Sequence, residues 1–148
     1  MEWWPAGFTL LAASLLPVQA ALNGALNRAL GNATLVVLIS LSGSAIFMGA
    51  VGIATGTLAA PSFGRISAVP WWAWPAGVCG AIYLSSQPIV APRLGAGTFI
   101  SLSVTAQVGA ALLIDHFGAL GLIPHPASPL RVLGAVLMAC GVVLIARF

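Results

Sequence analysis

Lysine is missing from this 148-residue chain and acid is nearly so, since Glu2 and Asp115 are its two carboxylates. Charged residues make up 5% of the sequence, against roughly 25% in soluble domains. A soluble fold with so little charge would expose large apolar patches and aggregate. The surrounding solvent must therefore be largely lipid. No hydrophilic stretch is long enough for a separate soluble domain. Clustered basic charge is also lacking: the five arginines are dispersed, so the formal charge of +3 carries no nucleic-acid signal. The ten-residue alternation of a membrane β-barrel is absent too. Cysteine occurs twice, as Cys79 and Cys140 inside apolar stretches. Both are expected to be buried small apolar residues rather than a disulfide, and neither has metal-ligand spacing. There is no Gly-x-Ser-x-Gly, no spaced His/Cys set and no phosphate loop, and His125 stands alone among prolines. An enzyme is not expected, and no cofactor is implied.

What the chain does contain is long apolar runs, with 60% hydrophobic residues and a mean hydropathy of +1.09. A spanning helix needs about 20 apolar residues to cross ~30 Å of hydrocarbon. Five stretches qualify, at about 4–26, 34–58, 71–90, 97–117 and 129–146. The fold expected is all-α: one polytopic five-transmembrane-helix bundle. Asn27-Arg28 and Gly31-Asn32 end the first span, and Pro61 stops the second. Arg65 sits in the loop from Pro61 to Pro70. Pro88 and Pro92 are expected to break the third span near its end, and Pro124, Pro126 and Pro129 precede the fifth. Pro17-Val18-Gln19-Ala20 could pass for a signal-peptidase site, but a signal peptide wants a basic start. Here Glu2, Trp3 and Trp4 stand instead, so this reads as an uncleaved first span.

Arg28, Arg65, Arg93, Arg131 and Arg147 punctuate the spans one per gap. With five spans, Trp3 and Trp4 share a side with Trp71, Trp72 and Trp74, as one interfacial aromatic belt. Arg65 and Arg131 fall on that side, and Arg28, Arg93 and Arg147 on the other. Two against three is a weak orientation bias. It permits dual insertion, and two opposed copies would make an inverted-repeat unit of ten helices. The expectation is an antiparallel homodimer, or pairing with a homologue. Gly52 and Gly56, with Ala76/Gly80, Gly77/Ala81 and Ala135/Ala139, have the spacing of close helix packing.

Polar side chains inside a bilayer are costly and tend to face the bundle interior. Gln19, Asn23 and Asn27 recur every four residues, so three amides share one face of the first span. Pro17, two residues before Gln19, loosens the helix there. Ser40 and Ser44 share a face of the second span. Ser85, Ser86 and Gln87 lie on the third, and Ser101, Ser103, Thr105 and Gln107 on the fourth. The bland reading is interhelical bonding, with serines and threonines bonding their own helix carbonyls. The functional reading is a substrate-binding site of Gln19 and Asn23, with Gln107 opposite and Ser40 and Ser44 nearby. Asp115, beside His116, is either an interfacial partner of Arg131 or a coupling site. No carboxylate sits at mid-membrane, which argues against a cation antiporter.

Several of these pieces together resemble the YdcZ-like family of the drug/metabolite transporter superfamily. Gln19, Asn23, Gly24 and Gly31-Asn32 look like its opening motif. Trp71-Trp72-Ala73-Trp74 with Gly77 and Gly80 resembles its third span, and Arg131, Gly134 and Gly141 fit its last. Gln107 with Ile114-Asp115-His116-Phe117-Gly118 is similar to its fourth-span signature, the most specific piece. The resemblance implies a small inner-membrane permease of about five spans, working as paired units and exporting a small metabolite or drug-like molecule. The partners implied are a small-molecule substrate, the lipid bilayer and a second subunit, with no nucleic acid. The rivals are a non-transporting scaffold or accessory subunit, and a carrier of lipid-linked head groups.

Overall fold

The computed structural model describes residues 3–148. Glu2, read above as the acidic start of the first span, lies outside the described residues. The described chain is helical with no strand. Its contacts fall into two compact units. One comprises the residues up to Gln19 together with Ala91–Phe148, and the other is Ala20–Val90.

The first apolar run forms α1 (Trp4–Ala13) and α2 (Leu15–Leu30), interrupted at Ser14. Pro17 explains the break. It has no N–H to offer the Ala13 carbonyl four residues back, and its ring crowds that carbonyl. Ser14 turns its hydroxyl onto the Leu11 carbonyl at 2.7 Å. Gly31 and Asn32 then turn the chain. The Gly31 amide donates to the Asn27 carbonyl at 2.9 Å, and Asn32 Oδ1 accepts from the Leu35 amide at 3.0 Å. Asn32 thereby satisfies one of the free donors at the start of α3 (Ala33–Ala54).

The second span is expected to reach residue 58, yet α3 ends at Ala54. Gly56 adopts φ +65°, which turns the chain out of the helix. The Leu58 amide then folds back to the Gly52 carbonyl at 3.0 Å. A Cβ on Gly52 would sit 2.9 Å from the Leu58 Cβ. Both glycines of the Gly-x-x-x-Gly pair are thus used within this helix end. A five-residue helix, α4 (Phe63–Ser67), carries Arg65, and a 3₁₀ turn at Trp71–Ala73 precedes α5 (Ala76–Leu94).

Here one expectation is corrected: Pro88 and Pro92 do not break the third span, because α5 runs through both to Leu94. A proline inside a helix costs one hydrogen bond and frees a carbonyl, which a neighbouring group can then satisfy. Gly95 separates α5 from α6 (Ala96–Phe117), and Ser128 caps α7 (Pro129–Arg147) by accepting from the Arg131 amide at 3.3 Å.

Among the described residues, four segments are long and apolar enough to cross a membrane: Trp4–Leu30, Ala33–Ala54, Ala96–Phe117 and Pro129–Arg147. The 22 residues of α3 or α6 extend about 33 Å. At 19 residues α5 is long enough, at about 28 Å, but less apolar. Most large apolar side chains face outward, including Phe8, Ile46, Phe47, Ile82 and Leu130. That is the surface lipid requires. The tryptophans are likewise exposed. So are Cys79 and Cys140, both free thiols, which corrects the expectation that they are buried. Small side chains on α5 and α7 suit a lipid-facing surface as well as a core.

In the unit containing α6 and α7, these two helices pack together. Gly118 closes α6 with φ +58°, and a Cβ there would lie 2.6 Å from the Pro124 Cγ. The proline-rich connection is therefore folded tightly against the helix end. The His125 amide donates to the Asp115 carbonyl at 2.8 Å, and the Ala127 amide donates to His116 Nδ1 at 3.2 Å.

Candidate functional site

Inside Ala20–Val90 three helices bring polar side chains together. Asn23 on α2 and Ser40 on α3 stand eight residues before Gly31 and eight after Asn32. At 1.5 Å per residue, each lies about 12 Å from the turn, well inside a ~30 Å hydrocarbon layer. Ser40 Oγ donates to Asn23 Oδ1 at 2.6 Å. Asn23 Nδ2 donates to Gln87 Oε1 at 2.8 Å. Asn27, one turn along α2, donates its Nδ2 to the Pro88 carbonyl at 2.9 Å. Pro92 has no N–H for that carbonyl, so Asn27 supplies the donor the proline removed. The prolines that seemed to end α5 instead prepare an acceptor for α2.

The order of the amide atoms follows from distance. A 2.6 Å contact suits O–H···O and is too short for N–H···O, so Asn23 presents its oxygen to Ser40. Its nitrogen then faces Gln87, and the Gln87 oxygen faces Asn23. The Gln87 Nε2 is left over: it is buried and has no hydrogen-bond partner among the described residues. Gln87 as a whole is 0% exposed and Asn23 3%. An unpaired buried donor costs about 1–3 kcal/mol.

None of the other candidates bonds to the side chains of this cluster. Gln19 is half-buried one turn before Asn23, and its side chain makes no hydrogen bond among the described residues. Ser44 is exposed and donates to the Ser40 carbonyl of its own helix at 2.9 Å. Gln107, on α6 in the other unit, is exposed, and its side chain forms no hydrogen bond among the described residues. Asp115 pairs with Arg131, its Oδ2 accepting from Nη2 at 3.3 Å, while Arg131 Nη1 donates to the His125 carbonyl at 3.2 Å. Both side chains are partly exposed, so the pair contributes at most about 1 kcal/mol. Ser85, Ser86, Ser101 and Ser103 all donate to carbonyls of their own helices.

Gln87 is the residue that sequence reasoning noted but did not select. The signal was there: it is the one amide of its span and stands directly before a proline that the helix tolerates. Elsewhere, an apolar groove of about 310 Å³ runs between α6 and α7, lined by Ile100, Val104, Thr105, Met138, Gly141 and Val142. The Thr105 hydroxyl there is buried without a partner among the described residues.

Long apolar helices, with an uncharged polar cluster buried between α2, α3 and α5, define an integral membrane protein. Over residues 4–144 the chain matches the family described as "Putative inner membrane exporter, YdcZ", and it belongs to that family. Searches of curated proteins and of solved structures give no match.

Proposed function

We propose that the chain is a multi-pass subunit of the bacterial inner membrane. It exports a small metabolite or drug-like molecule by alternating access, as one half of an antiparallel five-plus-five helix dimer or paired with a homologue. The observation that carries this reading is the Asn23–Ser40–Gln87 cluster, buried in an apolar unit with one donor left over. A scaffold would gain from pairing every polar group, because each unpaired one destabilises it. A binding site keeps a group for its ligand.

The fifth span in this reading is α5. Its polar residues reduce its hydropathy, but Gln87 is turned into the protein and satisfied in part by α2, which makes membrane insertion tolerable. An odd span count makes two opposed copies an inverted pair, with rocking of the halves about a midplane site. Asp115 is the weaker candidate for coupling, since Arg131 already holds it.

The test is comparative profiling of the culture medium. A bacterial host stripped of its own exporters carries either the wild-type chain or the Asn23→Leu/Gln87→Met double variant. Compounds enriched in the medium by the wild type alone support export. Identical media, with both proteins folded in the membrane, overturn it.

A further inference from the structure

The cluster is a directed chain of hydrogen bonds. Ser40 donates to the Asn23 carbonyl, Asn23 donates to the Gln87 carbonyl, and the Gln87 amide nitrogen stands at the end with nothing to donate to. Each bond in such a chain polarises the next. The terminal N–H is therefore strengthened as a donor at the point where the protein provides no acceptor.

From this, and resting on the transport reading above, we infer that Gln87 Nε2 binds an oxygen acceptor of the cargo, and that the cargo is an uncharged molecule bearing a carbonyl or hydroxyl. The charge restriction follows from the donor set. Asn23, Ser40 and Gln87 are all neutral, and the free group is a donor. A cation would meet a positive dipole end and gain nothing. An anion would find a donor but no counter-charge among these three residues, and an uncompensated buried charge is far costlier than a neutral polar group. Gln87 is wholly buried, so the acceptor reaches it only when the helices part, as alternating access requires. The cargo oxygen then satisfies the donor, and the occluded state is favoured with cargo over the empty one.

The full-length protein in detergent tests this with three aryl series of matched size: amides and ketones, carboxylates, and quaternary ammonium compounds. Thermal stabilisation and equilibrium dialysis read the binding. Neutral acceptor compounds should bind the wild type and bind Gln87→Met about 10- to 100-fold more weakly. Because Gln87→Met leaves Asn23 Nδ2 without its acceptor, Asn23→Leu/Gln87→Met serves as the second variant. It should fold and show the same loss. Cys140→Ala, an exposed position on α7, should bind as the wild type does. Binding that ignores the Gln87 replacement, carboxylates or ammonium compounds binding as well as the amides, or no binding by any series, overturns the inference. Export in the medium assay together with any of these results would remove only the cargo class. Identical media would remove the transport reading itself.

Discussion

Replacing Asn23 by leucine separates what the cluster does for folding from what it does for function. The side chains are of similar size, so the change is chiefly one of polarity. Two hydrogen bonds disappear, from Ser40 and to Gln87. Bonds between helices in membranes average about 0.6 kcal/mol, so the two account for ~1.2 kcal/mol. The larger effect falls on Gln87. It stays wholly buried, and now neither end of its amide has a partner, which adds about 1–3 kcal/mol. Ser40 is spared. Its hydroxyl can turn to the Val36 carbonyl one turn back, as Ser44 already does to Ser40. Asn23→Leu should therefore lose about 2–4 kcal/mol of stability.

The double variant Asn23→Leu/Gln87→Met removes both partners, leaves no orphan, and should return to within about 1 kcal/mol of the wild type. Reversible unfolding in detergent micelles measures all three proteins. The reasoning is refuted if Asn23→Leu costs under about 0.5 kcal/mol, or if the double variant is as unstable as the single one. Restored stability without restored export is the combination expected of a binding cluster.

Pro92→Ala should return an N–H to the Pro88 carbonyl. Asn27→Ala would then cost about 1 kcal/mol in the wild type but under ~0.3 kcal/mol beside Pro92→Ala, in the same unfolding assay. Gly118→Ala places a methyl 2.6 Å from the Pro124 ring at a left-handed φ, and should lower stability by at least about 1–2 kcal/mol. Asp115→Asn breaks a partly exposed pair and should change stability by under about 1 kcal/mol. Export with unaltered ion and pH dependence in that variant would take Asp115 out of coupling. Reporters fused to the two termini should lie on opposite faces in each inserted copy, and signals from both faces for one terminus would show dual insertion. Same-face termini would mean that α5 does not span.

The sequence was most legible where local chemistry decides the backbone. Gly31-Asn32 reads as the end of the first span, and α2 stops there at Leu30, past Asn27-Arg28, which does not end it; the reading does not extend to Asn32 capping α3. Pro129 after Ser128 reads as a helix start, and α7 begins there. Reading failed where a residue's local meaning was overruled by a partner distant in sequence. Pro88 and Pro92 look like breakers until Asn27, 61 residues from Pro88, supplies a donor. Gly52 and Gly56 look like a packing seam until the chain folds back on Leu58. The amide stripe on α2 pointed to Asn23 correctly as a buried polar residue. It could not say that Gln87 of α5 would bond to Asn23, because spacing within one helix carries no information about which neighbour approaches.

The same residues explain why α5 is less apolar than the other long helices and why it matters. Ser85, Ser86, Gln87, two prolines and Arg93 lower its hydropathy. Hydropathy averages every side chain as though it faced lipid, and for part of α5 that assumption fails. Gln87 and Pro88 are its most buried residues, and both serve as acceptors for amides of α2. A helix that must carry a site inside a bilayer has to be polar on the face it hides. Gln87 and Pro88 put part of that polarity on the hidden face, while Ser85, Pro92 and Arg93 are exposed, and the terminal reporters decide whether α5 crosses the membrane in spite of them.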